Sequence, residues 1–169
     1  MKRLISIVSL LLLTSCGYRL AGQNIFLPPN IKRIAVIPFV NETKRSEIEQ
    51  RITESITKEL TKRGKYRVIS SRENSDAFLE GAISSFSTNP IQFNPEGRAT
   101  VVEVSISVRA KLTDSADGNV IWNQEHFLYR EQFDIPESEI DFFDQEIVAI
   151  ERIAGSFARS LVTSLLEGF

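Results

Sequence analysis

The clearest pattern in the chain is a strict alternation. Val102, Val104, Ile106, Val108, Ala110 and Leu112 fall on one side of an extended backbone, while Glu103, Ser105, Ser107, Arg109, Lys111 and Thr113 fall on the other. Successive strand side chains point to opposite faces, so this segment predicts a strand with one face buried and one wet. Asp114-Ser115-Ala116-Asp117-Gly118 is turn chemistry, after which Val120 to Phe133 returns as a further strand. Before it, Asp76 to Phe86 predicts a strand with Leu79, Gly81 and Ile83 on one face. Asn89 to Gly97 reads as a loop because it holds Pro90, Pro95 and Gly97.

The upstream pattern is different. Ile31 to Phe39 becomes almost continuously apolar from Ile34, as in a strand covered on both sides, and Pro38 marks its end. Ser46 then opens a helix, with Glu49 placed to complete a capping box. Ile48, Ile52, Ile56 and Leu60 recur every four residues as its apolar stripe, and Gly64 stands where a C-terminal cap belongs. Tyr66 to Ser70 is a short strand that completes a βαβ unit. A second, longer helix is expected from Ser138 to Leu166, its stripe formed by Phe143, Ile147, Ile150, Ala154, Phe157, Leu161 and Leu165. Two amphipathic helices and a sheet with a polar outer face predict an α+β fold, an α/β two-layer sandwich. Its mixed sheet has four or five strands in the order β-α-β-β-β-β-α, with both helices packed on one face.

The N-terminus adds a different kind of segment. Lys2 and Arg3 precede an apolar run from Leu4 to Leu13, the form of a signal peptide over residues 1–15. That run is about half of the roughly 20 residues that a spanning helix needs. It ends in Leu13-Thr14-Ser15-Cys16, which has the form of a lipobox: a branched residue, two small ones, then a cysteine. Cys16 is therefore the expected lipidation site, palmitate included, and acyl chains there would anchor the protein to a membrane. Gly17 follows where an Asp would favour the inner membrane in enteric bacteria, so the expected location is the periplasmic face of the outer membrane. Residues 16–30, with Gly17, Gly22, Pro28 and Pro29, form a tether, and residues 31–169 a single α/β domain.

Composition narrows the chemistry. The chain has 20 basic and 22 acidic residues; without Lys2 and Arg3 the balance is 18 to 22, or −4. With no dense basic cluster, nucleic acid is disfavoured as a partner. Cys16 is the only cysteine, which excludes an internal disulfide, a redox pair and a thiolate zinc site. The sole histidine, His126, lies within a strand beside Glu125 and Phe127, and no nucleophile-elbow, phosphate-loop or zinc-protease motif occurs. The pairs Asp141/Asp144 and Glu137/Glu139 stand at the start of the last helix, where carboxylates suit its dipole. No enzyme, cofactor or metal is expected. What remains is a surface: Arg109 and Lys111 on the open strand face, Arg98 at its entrance and Arg130 on the next strand could pair with an anionic ligand. The same residues could equally form ordinary ion pairs, with Glu103 nearby. Gln92-Phe93-Asn94 offers a loop aromatic for docking or for anchoring the loop.

Cys16-Gly17-Tyr18-Arg19-Leu20 after the lipobox, the run Ile34-Ala35-Val36-Ile37-Pro38-Phe39-Val40-Asn41-Glu42-Thr43, and the helix ending in Leu161 to Phe169 together resemble the LptE family of lipopolysaccharide-assembly lipoproteins. The resemblance covers Cys16 to the C-terminus. It implies two helices against a mixed sheet, usually described with four strands where five are counted here. It also implies a non-enzymatic outer-membrane lipoprotein that plugs the LptD β-barrel, supports its assembly and binds lipopolysaccharide for transport to the cell surface. Ala35-Val36-Ile37-Pro38-Phe39 is also similar to strands of curli-secretion lipoproteins and of lipoprotein activators of penicillin-binding proteins, which form the alternative.

Overall fold

The computed structural model describes residues 27–135 and 142–167, the side chains of 142–149 excepted. Its elements are β1 (Arg33–Val36), β2 (Val40–Asn41), α1 (Ile48–Lys62), β3 (Arg67–Ile69), β4 (Ala77–Phe93), β5 (Ala99–Asp114), β6 (Val120–Asp134) and α2 (Phe142–Glu167). The sheet runs β3-β1-β4-β5-β6, with β2 pairing with β4 beside β1. The short strands β1, β2 and β3 are joined in parallel pairs, whereas β4, β5 and β6 form a long antiparallel meander.

The helices fill one face of this sheet. Ile48, Ile52, Ile56 and Leu60 of α1 are buried, as the four-residue spacing requires. From α2, Ile150, Ala154, Phe157, Leu161 and Leu165 are buried, and Ile153, Ala158 and Val162 widen the stripe. The expected Phe143 and Ile147 lie outside the residues whose side chains are described. Opposing them are Ile106, Val108, Ala110 and Leu112 of β5, all buried as the alternation predicts. Phe127 and Tyr129 of β6 meet the Phe157 ring edge-on, at centroid distances of 5.5 and 6.4 Å. Full burial of one such large apolar side chain contributes about 1.5–3 kcal/mol, so this face dominates stability. No helix among the described residues is long and apolar enough to cross a membrane.

Several expected boundaries change. Tyr66 to Ser70 does join the sheet, through β3, which pairs in parallel with β1. The two-residue β2 raises the count to six strands. At the start of α1, the capping box does not form: Glu47 occupies the cap position with φ 64° and no side-chain bond caps the helix. Glu49 instead accepts from Asn41 Nδ2 at 2.8 Å, and the same nitrogen donates to the Arg45 carbonyl at 2.7 Å, so Asn41 ties β2 to α1. Gly64 does end the helix, with φ +67° and its N–H on the Thr61 carbonyl at 3.0 Å. The expected loop from Asn89 is strand as far as Phe93, and only the turn around Asn94 to Gly97 remains. Proline is tolerated there because, beyond Ile83, β4 has no neighbour on its β2 side among the described residues, and edge strands admit a residue without an N–H.

Two further features set the geometry. A Cβ at Gly81 would lie 2.5 Å from the Phe39 ring and 2.5 Å from the Arg109 carbonyl, so a glycine lets Phe39 pack onto the middle of β4. Asp76, at the start of β4, accepts N–H bonds from Lys32 and Arg33 at 2.9 and 2.8 Å and pairs with the Arg33 side chain at 2.8 Å, clamping β4 to β1.

Candidate functional site: the open sheet face

The face turned away from the helices is built from the outward positions of β4, β5 and β6. Because Leu112 and Ile106 point inward, Lys111, Arg109, Ser107 and Ser105 point out, and the register places their neighbours. Lys111 stands between Glu80 and Asn123, Arg109 beside Ala82, Ser107 between Ser85 and Leu128, and Ser105 between Ser87 and Arg130. Opposite Arg109 the β5–β6 register shifts, and β6 bulges at Glu125 and the exposed His126.

At one end of this face lies a groove of about 420 Å³. Arg109 reaches both carboxylate oxygens of Glu42, just past β2, with Nη1 donating to Oε2 at 2.8 Å. This hydrogen bond raises the Arg109 pKa further, with the Glu42 charge adding to it. Lys111 Nζ lies 3.1 Å from Glu80 Oε1, and Arg72 pairs with the other oxygen of Glu80 while its guanidinium stacks 4.4 Å from the Phe78 centroid. The groove is therefore lined by matched charges. Arg109 is 46% and Glu42 38% exposed, so the pair is of the solvent-screened kind that contributes little to stability and opens readily. The middle of the face is a floor of small hydroxyls, with Ser87 and Ser105 2.7 Å apart and Ser84 donating to the Ser107 carbonyl at 3.1 Å. Leu128 is exposed beside it.

The four basic positions expected on this surface do not form one constellation. Arg109 and Lys111 share the groove. Arg130 faces the face from β6 opposite Ser105, four residues along β5, or roughly 13 Å away. Arg98 sits in the β4–β5 turn, its backbone N–H bonded to Asn94 Oδ1 at 2.8 Å, eleven residues or roughly 36 Å of strand from Arg109. Glu103 lies opposite Asn89, too far along the strand to pair with Arg109. The counter-charges Glu42, Glu80 and the third cation Arg72 escaped the sequence reading. Glu80 could have been found once the β4–β5 turn was placed, because the hairpin register sets it across from Lys111. Glu42 could not, since its position depends on a two-residue strand. Phe93, expected in a loop, is at the end of β4 and 58% exposed. Cys16 lies outside the described residues.

A two-layer α/β sandwich with one helix-covered face and one open polar face is a scaffold whose exposed sheet is available for contact. Solved structures share the fold. Protein XCC0632 from Xanthomonas campestris matches with a TM-score of 0.58 at 15% identity, over 85% of this chain and 91% of that one. The PelC dodecamer from Paraburkholderia phytofirmans gives 0.53 at 16%, over 80% and 89%. Lipoprotein B from Nitrosomonas europaea gives 0.51 at 16%, over 89% and 88%. No curated protein sequence matches the chain significantly. The model of the LptE family, described as lipopolysaccharide-assembly, matches residues 31–165. The chain belongs to the LptE lipopolysaccharide-assembly family.

Proposed function

We propose that this chain is a non-enzymatic outer-membrane lipoprotein, anchored through acylated Cys16, that plugs and supports a β-barrel of LptD type and contacts lipopolysaccharide on its way to the surface. The family match over residues 31–165 carries the reading. In this reading residues 1–15 are removed as a signal peptide, residues 16–30 tether the protein, and residues 31–169 form the working domain. The open face suits a contact role: its serine floor offers donors and acceptors, and its exposed ion pairs can exchange a carboxylate for a phosphate at small cost. Arg109 and Lys111 are the proposed lipopolysaccharide contacts, with Arg130 and Arg98 as separate contacts further along.

The test is to recover a tagged chain from detergent-solubilised outer membranes and identify what accompanies it. A β-barrel of LptD type is the expected partner. A penicillin-binding protein, a curli-secretion component, or self-association without a barrel would replace this reading with its rivals. For the ligand, a folded Arg109→Glu/Lys111→Glu protein should bind purified lipopolysaccharide more weakly, with affinity falling as salt rises. Unchanged affinity would remove these two residues from the contact.

A further inference from the structure

Besides the very short β2 and β3, the sheet has two strand edges without a neighbour among the described residues: β6, and β4 beyond Ile83. We propose that the β4 edge between Phe86 and Pro90 binds a short, uncharged, extended segment of a partner protein as an added strand. The inference is independent of the lipopolysaccharide contacts on the sheet face.

Register decides which backbone groups face that edge. Leu79 and Ile83 turn their carbonyls away from β5, accepting the Ile37 N–H at 2.9 Å and the Glu42 N–H at 3.0 Å. Backbone direction alternates along a strand, so Glu80 and Ala82 bond towards β5, and their partners Lys111 and Arg109 face β4. The register shift after Ile83 adds its extra residue, Ser84, to β4 alone. β5 therefore continues its alternation, and Ser107, Ser105 and Glu103 face their partners Ser85, Ser87 and Asn89. Phe86, Thr88 and Pro90 are left pointing to the bare edge. Pro90 agrees with this assignment, since a residue without an N–H loses no ladder bond there. The N–H groups of Phe86 and Thr88, and the carbonyls of all three residues, have no backbone partner among the described residues.

A row of alternating donors and acceptors is matched by another extended backbone, which names the class of ligand. Charge separates the two long edges. β6 carries Glu125, Arg130, Glu131 and Asp134, the kind of residues that deter strand addition, whereas β4 has no charged residue between Gly81 and Pro95. Packing adds a second distinction. Val104 and Val102 of β5 are buried on the helix side, while their β4 partners Thr88 and Pro90 are exposed and Phe86 is half-buried. The covered face thus stops one strand short, and an added strand would set apolar side chains beside Phe86 and Pro90 and small polar ones beside Ser85 and Ser87. The slot is short, because Glu42 closes one end at Ile83 and the register shift after Pro90 limits the other. A second copy of β4 does not fit it: antiparallel pairing centred on Thr88 would set the copy's Phe93 opposite Ile83, where Asn41 already stands.

The full chain in neutral detergent is titrated against a short, capped, fluorescent peptide of alternating valine and serine, and binding is read by fluorescence polarisation. Saturable binding is expected. The same peptide N-methylated at every residue keeps its side chains but has no N–H to donate, and should bind at least tenfold more weakly. Thr88→Pro removes an exposed N–H without a backbone partner and should lose at least tenfold in affinity, whereas Thr88→Val keeps that N–H and should bind like the parent. If Thr88→Pro does not fold, the two peptides still decide the matter on the parent chain. Equal binding of both peptides, or a folded Thr88→Pro that binds like the parent, would overturn the proposal. So would no binding of the unmodified peptide, whether the slot rejects it or the chain itself already fills the slot. Self-association that Thr88→Pro abolishes, measured by sedimentation without peptide, would give the edge to a second copy and overturn the partner assigned here. No barrel or lipopolysaccharide is present, so a failure here leaves the outcome of the pull-down untouched.

Discussion

Alanine at Gly81 would bring a methyl group onto the Phe39 ring and the Arg109 backbone, both held in place by the sheet. Overpacking of this kind typically costs about 1–3 kcal/mol, so Gly81→Ala should lower the urea midpoint. At Gly155, where the space is open, alanine should raise stability by about 0.5–1 kcal/mol. The sole tryptophan, Trp122, is buried on β6 opposite Leu112, and its fluorescence follows both transitions. The same measurement tests the facing of β5. Ile106→Ala empties a fully buried site and should cost about 2–5 kcal/mol, whereas Ser107→Ala on the open face should change little. Equal effects would mean that the two faces are assigned wrongly. Residue by residue, this part of the fold was legible because alternation alone decides which side chain is buried. The partners of Arg109 and Lys111 were not, because ion pairing depends on strand register, which alternation leaves open.

Among the elements, the clamp between β1 and β4 makes a prediction about acid. The Arg33 side chain, aided by the Lys32 and Arg33 N–H groups, holds the Asp76 carboxyl well below the usual carboxylate range. A carboxyl with a depressed folded-state pKa stabilises the fold above its unfolded pKa of about 4, and that contribution fades as the pH falls below it. Denaturation midpoints should therefore drop between about pH 5 and pH 2 in the parent and drop less steeply in Asp76→Asn, which cannot ionise. Parallel slopes for the two proteins would show that Asp76 is not the group responsible. The helices were legible as elements because their stripes are long and regular. α1 begins without its capping box because Asn41 claims Glu49, a tertiary contact that overrides a local signal. β4 runs past Pro90 because the proline falls on an unpaired edge, and sequence alone does not show where an edge lies.

At the scale of the whole molecule, the cations of the sheet-face groove, Arg72, Arg109 and Lys111, are each paired with Glu42 or Glu80. These pairs are partly exposed and already satisfied, so raising the salt should alter stability little. If Cys16 is acylated as proposed, mass spectrometry of protein from its native host should find the mature N-terminus at Cys16 carrying lipid. An unmodified thiol there would remove the membrane anchor from the account. The two-layer architecture and the family were both visible in the sequence, because they rest on periodicity and on contiguous motifs.

The unpaired run of β4 has a consequence for solvent exchange. From Ser84 to Phe93 the strand is bonded to β5 on one side only, and no charged residue occurs between Gly81 and Pro95. Between the register shifts, from Ser85 to Asn89, every other amide points to water while its neighbours are held in the ladder. In deuterated buffer, labelling from Ser85 to Asn89 should therefore alternate between fast and slow, with Pro90 silent. Before Ile83, where β1 and β2 flank the strand, protection should be continuous. A partner strand laid along the bare edge would turn the alternation into uniform protection, so the labelling pattern in intact membranes would report directly whether that edge is covered where the protein works.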